Sequence, residues 1–126
     1  MTRLGANSLP GGAVRVPAYR RERPAGIVHL GVGAFHKAHQ AVYTDDALGK
    51  AGGDWMITGV SLRSPDVAAA LNPQDGLYTL LLRGPDGVTA RVVGSIAKVL
   101  VAPEHPFVAH LTTPAQGKPA RTAQMQ

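Results

Sequence analysis

The stretch that most constrains the fold is IVHLGVGAFHKAHQ, at residues 27–40. A short apolar run of strand length, 26–30, leads into Gly31 and Gly33, and helical spacing begins directly after them. A strand that ends in glycines and passes into a helix is typical of the start of a dinucleotide-binding fold. Where the third glycine of a G-x-G-x-x-G turn would stand, however, the chain has His36. These residues therefore fit either a dinucleotide turn or an ordinary strand, turn and helix.

Beyond the glycine turn, the chain alternates helical and strand patterns. The predicted elements are a helix over about 34–50, a strand over 55–62, a helix over 66–71, and strands over 77–83 and 88–102, the last bent near Gly94. The order β-α-β at the start indicates a parallel sheet with a right-handed crossover. The sequence GPDG at 84–87 is a hairpin turn. The predicted fold is therefore α/β, an incomplete Rossmann-type parallel sheet with a β-hairpin appended near residues 77–102.

The composition limits the class of protein and its compartment. A chain of 126 residues suffices for one modest domain, and it contains no cysteine for disulfides or thiolate metal sites. We therefore expect a cytoplasmic protein. No apolar run approaches the roughly 18 residues that a membrane helix needs, and the first residues lack the apolar core of a secretory signal. We expect no membrane partner.

The net charge of +5 belongs to the two ends of the chain. Residues 1–26 carry five arginines against one glutamate, whereas 27–111 have six lysines and arginines against seven acidic residues. Prolines and glycines indicate that 1–26 is a flexible basic segment, and the lack of apolar periodicity predicts that 112–126 is a disordered tail. The folded domain is then 27–111. A basic end can bind phosphates nonspecifically, but a solvated terminus is the commoner case, so we expect no nucleic-acid partner.

The glycine turn suits a pyrophosphate group for physical reasons. Backbone N–H groups and the positive end of the helix dipole point to one spot where a strand passes into a helix. Gly31 permits the tight turn, and Gly33 allows the phosphate to approach the backbone closely. A histidine at position 36 predicts a wider crossing of helix and strand, or a side chain that turns outwards.

The acidic residue that would bind the adenosine ribose belongs at the end of the second strand. Asp54 has the usual spacing from the glycines but precedes that strand. Asp66 follows the strand and lies on the correct side of the sheet, so it is the better candidate, although it could equally be an N-terminal carboxylate of the next helix. Arg63 could instead receive a 2′-phosphate, which leaves both nicotinamide cofactors open.

Histidines occur at helical spacing after the glycine turn. His36 and His39, with His29 in the preceding strand, could suggest a metal site. Without a cysteine or a carboxylate at a suitable offset, contacts near the phosphates or structural roles are the better interpretation, and we expect no metal. Asp45 and Asp46 are explained by a solvated helix face.

Three ordered segments, 27–48, 55–71 and 74–83, resemble the N-terminal domain of the mannitol dehydrogenase family, which includes mannitol 2-dehydrogenase and fructuronate reductase. The resemblance extends from about residue 27 to 108. It implies an oxidoreductase of carbohydrate metabolism that uses NAD, with NADP not excluded, to interconvert a sugar alcohol or aldonate with its keto form. It also implies that the histidine of the turn is the family's own variant. The implied cofactor contacts are Gly31, Gly33, Ala34, Phe35, His36 and Asp66.

The resemblance also implies parts that this sequence does not match. Family members carry a second, mostly helical domain that supplies a catalytic lysine with asparagine and histidine partners, and neither Lys98 nor Lys118 matches that lysine. In addition, Lys37 stands where the family usually shows arginine. We therefore assign no catalytic residue and expect an N-terminal cofactor-binding fragment, which would act on a polyol or hexuronate only with a catalytic domain supplied. The alternative is a non-catalytic nucleotide-binding or interaction module that acts with a partner chain.

Overall fold

The protein, described by a computed structural model, is defined over residues 3–105 and, for the backbone, 122–124. The elements in chain order are β1 (Ala25–Leu30), α1 (Ala34–Ala38), α2 (Gln40–Ala51), β2 (Met56–Ser61), α3 (Asp66–Leu71), β3 (Tyr78–Gly84), β4 (Gly87–Val93), β5 (Ile96–Val101) and β6 (Thr122–Gln124). A parallel sheet has the order β5-β2-β1-β6, and β3 pairs with β4 as an antiparallel hairpin. The predicted Rossmann-type fold with an appended hairpin is confirmed.

The helix predicted over about 34–50 is broken at His39, whose backbone (φ −125°, ψ −82°) is not helical. The break changes which face is buried. Phe35, in α1, is 60% exposed. The buried residues of α2 are Ala41, Asp45 and Leu48. An acidic residue stands in the middle of this buried face, so an apolar pattern alone does not identify the face.

The bent strand predicted over 88–102 is two strands in two different sheets. The chain turns between them at Gly94 and Ser95. A Cβ at position 94 would lie 2.6 Å from the Pro17 side chain, so only glycine lets the N-terminal segment pass here. The buried Ser95 hydroxyl donates to the carbonyl of Ala41 at 2.6 Å, which fixes the corner against α2.

The main core lies on one face of the parallel sheet. There α2, α3 and the base of the hairpin meet β2 and β5 in one cluster of buried residues: Val32, Ala41, Ile57, Ala68, Leu71, Tyr78, Val93, Ile96, Val99 and Val101. A smaller cluster is built around Leu30 and Val60. Because Val32 lies two residues beyond the end of β1, the turn after that strand is anchored in the main core.

The outer edge of β5 is closed by a side chain. The Asn72 amide donates to the Val99 carbonyl and accepts from the Val99 N–H, both at 2.8 Å. These two hydrogen bonds reproduce the pairing that a neighbouring strand would make. An exposed strand edge invites pairing with another chain, so Asn72 protects the sheet at this point.

The N-terminal segment, which is predicted to be flexible, makes specific contacts with the domain. Arg21 donates to the backbone carbonyls of Gly94, Asp75 and Ile96 at 2.8, 2.6 and 3.0 Å. The prediction took arginine as a sign of solvation, whereas this guanidinium serves as a donor to backbone groups. In the predicted tail, residues 122–124 form β6 beside β1. Residues 106–121, 125 and 126 lie outside the described part of the chain, so disorder stays a prediction there.

Candidate functional site

A cleft of about 500 Å³ opens at the carboxyl ends of β1 and β2. Its lining residues are Gly31, Val32, Gly33, Phe35, His36, Ser61, Leu62 and Arg63. In open parallel α/β sheets, ligands bind outside the carboxyl ends of the strands, and this volume is typical of a small-molecule site. The glycine turn singled out by the sequence therefore forms one wall of the best-placed cleft among the described residues.

The two glycines of the turn are required for different reasons. Gly31 has φ of +86°, in the left-handed region, and its N–H donates to the Val60 carbonyl of β2 at 2.8 Å. The backbone itself demands glycine there. Gly33 has an ordinary φ of −100°, and a Cβ at this position would meet no atom within 4 Å. Nothing in the protein requires a glycine at 33, so the open space beside it is available to a ligand.

Val32 holds the turn in place between the two glycines. Its side chain is buried in the main core, directly over Gly59 of β2. A Cβ at position 59 would lie 2.5 Å from a Val32 methyl group, so the turn can dock this closely only on a glycine. Gly59 was not predicted to have a role, although a glycine inside a strand pattern is a known sign of close backbone approach.

Backbone N–H groups follow the turn without helical acceptors. The Lys37 N–H donates to the Gly33 carbonyl at 3.1 Å, and this is the first hydrogen bond of α1. The N–H groups of Ala34, Phe35 and His36 therefore precede the hydrogen-bonded part of the helix. Because α1 has only five residues, its dipole is smaller than that of the long helix predicted, and these donors matter more.

A stacked pair of histidines lies beneath the turn. His29 and His36 are 0% and 2% exposed, with ring centroids 3.7 Å apart and ring planes within 11° of parallel. None of their four ring nitrogens has a hydrogen-bond partner. Of the two alternatives predicted from His36, the outward side chain is wrong, because the ring packs inwards against His29 near the end of β1.

Both rings are neutral near pH 7. Burial, and then the neighbouring His29, lower the pKa of His36 to about 4, and the Gln40 side chain opposes the shift only in part. Burial also lowers the pKa of His29, against a weaker opposing contribution from the Gly31 backbone. A charged imidazole in this pair would lose its hydration without gaining a counter-ion.

The structure brings most of the predicted cofactor residues together. Gly31, Gly33, Phe35 and His36 line the cleft, and Ala34 lies in the same turn. Asp66 does not line the cleft: its side chain is exposed at the start of α3, and its N–H donates to the Ser64 hydroxyl at 3.2 Å.

The basic residues near the turn have separate locations. Arg63 lines the cleft, whereas the Lys37 ammonium lies 6.0 Å from the centre of the Tyr78 ring, on the hairpin side. The charge at position 37, where the resemblance leads one to expect arginine, is therefore used in a cation–π contact.

Among the described residues, the histidines do not form a metal site. Over the part of the chain that the structure describes, no group of three or more His, Cys, Asp or Glu side chains could hold an ion. His39 is exposed, and its Nδ1 lies 2.9 Å from the Phe35 carbonyl. Nor is any helix within the described residues long and apolar enough to span a membrane.

A second buried polar cluster lies under the N-terminal segment. The Asp45 carboxylate accepts from the Tyr19 hydroxyl at 2.5 Å, from the Arg91 guanidinium at 2.6 Å and from the Gly94 N–H at 2.9 Å. Asp46 joins Arg91 at 2.9 Å. The assignment of Asp45 to a solvated face was wrong, since only 5% of it is exposed.

Charge and burial hold this second cluster in one protonation state. Burial alone would raise the pKa of Asp46, but Arg91 and Arg15 outweigh it and lower that pKa. Burial, followed by the hydrogen bond to Asp45, raises the pKa of the Tyr19 hydroxyl, which therefore stays a donor. The Asp45 carboxylate is bonded to donors from three parts of the chain, although the Arg91 Nε–H of the same cluster has no partner, and we assign the cluster a structural role.

Comparison with known proteins gives a consistent family assignment. The family profile described as "Mannitol dehydrogenase Rossmann domain" matches residues 25–118. The chain is similar to mannitol 2-dehydrogenases of Aspergillus niger (50% identity over 99 residues, 74% of this chain and 20% of the relative) and Aspergillus fumigatus (48% over 108 residues, 81% and 22%). It thus spans about a fifth of the length of the curated relatives it matches.

Two solved structures share the fold. One is a Pseudomonas fluorescens mannitol 2-dehydrogenase in a ternary complex with NAD and D-mannitol, with a TM-score of 0.79 and 39% identity. The other is a D-sorbitol dehydrogenase in substrate-free form, with a TM-score of 0.77 and 36% identity. Both matches cover 90% of this chain and 25% of the other.

Proposed function

Because the chain belongs to the mannitol dehydrogenase family of oxidoreductases and carries its Rossmann domain, we propose that it binds a nicotinamide dinucleotide in the cleft beside β1 and β2. The observation that carries the proposal is the glycine turn. Gly33 opens onto the cleft, and no protein atom lies where its side chain would be. The similarity to an enzyme solved with NAD supports the same cofactor class.

The residues of the cleft fit the parts of a dinucleotide. We assign the pyrophosphate to the turn, where Gly31 and Gly33 leave room and the N–H groups of Ala34, Phe35 and His36 lack helical acceptors. Asp66 is our candidate for the ribose hydroxyls. It lies three residues beyond Arg63 and would have to turn towards the cleft to reach them.

We propose NAD as the cofactor, and Arg63 is the residue that keeps NADP open. Its guanidinium belongs to the cleft lining, where it could pair with a 2′-phosphate. If NAD is preferred, replacing Arg63 by alanine leaves NADH binding nearly unchanged. A large loss of NADPH affinity in the same variant would show that the arginine selects NADP instead.

The proposed reaction is the interconversion of a sugar alcohol or aldonate with its keto form. When bound, the nicotinamide supplies hydride transfer to or from carbon. We assign to this chain the binding and orientation of the cofactor. The proton transfer that accompanies such chemistry is assigned to the larger part of the relatives, about four fifths of their length, that this sequence does not span.

One observation favours the alternative of an interaction module. The outer half of the hairpin exposes Leu81 (57%), Leu82 (47%) and Val88 (61%). Exposed apolar groups of this kind often mark a contact surface. If that surface is the main function, replacing all three by serine abolishes association in sedimentation experiments and leaves cofactor titrations unchanged.

A titration of the full chain with NADH and with NADPH, followed by calorimetry, tests the main proposal. We expect saturable binding that Gly33→Asp abolishes, because the new carboxylate would occupy and repel the pyrophosphate position. The variant should fold, since its Cβ meets no atom within 4 Å. Gly11→Asp is the matched control: it adds the same charge at another open glycine and should bind as the wild type does. Absence of binding at millimolar ligand would overturn the proposal.

A further inference from the structure

The hairpin of β3 and β4 has an unpaired backbone edge. The Val92 N–H donates to the Arg15 carbonyl at 2.7 Å, away from β3, so Val92 and the opposing Thr79 form a pair without mutual hydrogen bonds. Because bonded and non-bonded pairs alternate along an antiparallel ladder, the N–H and C=O groups of Thr79, Leu81 and Arg83 point away from β4. Over the described residues these outward groups have no hydrogen-bond partner. The outer edge of β3 is therefore open to another strand.

The side chains beside this edge are exposed and apolar. Leu81, Leu82 and Val88 are the large apolar residues that the outer half of the hairpin leaves in solvent. Leu81 and Val88 lie on one face of the two-stranded sheet and Leu82 lies on the other, because side chains alternate along a strand. A two-stranded hairpin exposed on both faces is marginally stable in water, so additional strands would stabilise it.

We propose that β3 pairs with β3 of a second copy of this chain, antiparallel, about a two-fold axis at Leu81. This register places Leu81 of one copy opposite Leu81 of the other, and Thr79 of each copy opposite Arg83 of the other. Every outward-facing residue of β3 is then paired, and each pair exchanges two N–H···O bonds. An axis at Leu80 or Leu82 would leave one outward-facing residue of each edge without an opposing residue in β3, so hydrogen bonding and symmetry select this register.

The charges of the hairpin agree with this register. Arg83 lies opposite the neutral Thr79, so no like charges meet directly across the two edges. The tip of each hairpin, which carries Asp86, lies beside the base of the other hairpin. At that base the Lys37 ammonium lies 6.0 Å from the centre of the Tyr78 ring. An acidic residue at each tip thus approaches a basic residue at the base of the other copy.

The shape of the surface also leaves room for a second hairpin. A groove of about 460 Å³ at the base of β3 is lined by Leu4, Ser8, Leu9, Pro10 and Thr79. Because Arg83 of the second copy lies opposite Thr79, the turn that follows it, at 84–87, reaches this groove. The N-terminal segment therefore forms one wall of the interface, and the exposed surface of the hairpin has a second copy of the chain as its partner.

Disulfide cross-linking tests the register, since the chain has no cysteine of its own. Opposing residues in a hydrogen-bonded antiparallel pair have Cα atoms about 5.5 Å apart, a distance that a disulfide spans. We therefore expect full-length Leu81→Cys, oxidised with diamide, to form a covalent dimer. Val88→Cys is the matched control: it places an equally exposed thiol on the same face of the hairpin but on the other strand, and it should stay unlinked.

Sedimentation velocity measures the association without a cross-link. We expect the wild-type chain to form a dimer, and Leu81→Pro to raise its dissociation constant about 10-fold or more, because each edge loses an outward N–H donor. Val88→Pro is the control for damage to the hairpin. It also removes an outward N–H, but on the edge of β4, so it should dimerise as the wild type does.

The results that would overturn the dimer are specific. A wild-type chain that stays monomeric at millimolar concentration overturns it, and so does equal cross-linking of Leu81→Cys and Val88→Cys. Loss of the dimer in Val88→Pro but not in Leu81→Pro would assign the contact to β4 instead. No residue of the hairpin lines the dinucleotide cleft, so NADH titrations of the same variants should match the wild type. Failure to bind NADH therefore bears on the proposed function alone.

Discussion

Two clusters of buried polar side chains, one around Asp45 and one formed by His29 and His36, differ in their hydrogen bonding. Asp45 on α2 has a donor from the N-terminal segment, one from β4 and one from the corner after it. His29 and His36, beside α1, have none for their four ring nitrogens. The comparison shows that donors from three parts of the chain complete the Asp45 carboxylate, whereas the two stacked imidazoles are buried without hydrogen-bond partners.

The largest expected effect on stability comes from removing the Asp45 carboxylate. Asp45→Ala leaves the Arg91 guanidinium, which is 5% exposed, without its closest carboxylate and leaves the Gly94 N–H unpaired. We expect a loss of about 3–5 kcal/mol in the free energy of unfolding, typical of breaking a buried ion pair. Urea denaturation followed by circular dichroism measures it. The exposed Asp54→Ala is the control, and equal effects of the two variants would contradict a structural role.

The anchoring of the cleft turn can be tested at Gly59. Gly59→Ala places a Cβ 2.5 Å from the Val32 methyl group, so the turn must shift. Overpacking of this kind costs about 1–3 kcal/mol in the free energy of unfolding, and NADH affinity should fall as well. Gly84→Ala, in a strand with open space around the new methyl group, is the matched control. A stability equal to that of the wild type would show that Val32 moves freely.

Acid should lower the stability of the fold through the buried histidine pair, His29 and His36. The unfolded His36 binds a proton near pH 6.5, but the folded ring does so only near pH 4, so stability is constant above about pH 6.5 and falls between those values. From this shift we expect a loss of up to about 2 kcal/mol between pH 7.5 and pH 5. Urea midpoints at the two pH values measure it. His36→Phe should reduce the difference, His39→Phe should not, and a pH-independent midpoint in the wild type would refute the expectation.

The smallest expected effect concerns Tyr19, one of the hydrogen-bond partners of Asp45. Tyr19→Phe removes one hydrogen bond to Asp45 but leaves the contacts with Arg91 and Gly94 in place. We expect a loss of about 1 kcal/mol in the free energy of unfolding. Thermal denaturation beside the exposed Tyr43→Phe variant measures it. A loss as large as that of Asp45→Ala would mean that the N-terminal segment, not the ion pair, holds the cluster.

Local patterns were sufficient for the elements that build the cleft. The apolar run before Gly31 gave β1, the run over 55–62 gave β2, and DVAAAL is α3 from its first residue to its last. Strand length, helical spacing and the φ above +20° that Gly31 adopts are properties of a few neighbouring residues. The predicted fold class and the glycine turn followed from them.

Contacts between distant residues lay beyond those patterns. Tyr19 and Asp45 are 26 residues apart, Arg91 and Asp45 are 46 apart, and Arg21 reaches Ile96 across 75 residues. An aspartate in a helical stretch is expected to be solvated unless its partners are known. Arginines near a chain end are likewise expected to form a mobile arm. The burial of Asp45 and the contacts of the N-terminal segment with the domain therefore could not be predicted.

The sequence by itself determined that this chain forms a strand of a parallel sheet, a glycine turn at the carboxyl end of that strand, and a helix after the turn. Steric and periodic rules that act over a few residues are sufficient for this. Only the tertiary structure decided that the helix breaks at His39, that His36 turns inwards onto His29, and that Gly59 admits Val32. Those outcomes depend on which side chains meet when separate elements pack. Packing is set by the whole domain, and it buries the nitrogens of one histidine pair without hydrogen-bond partners.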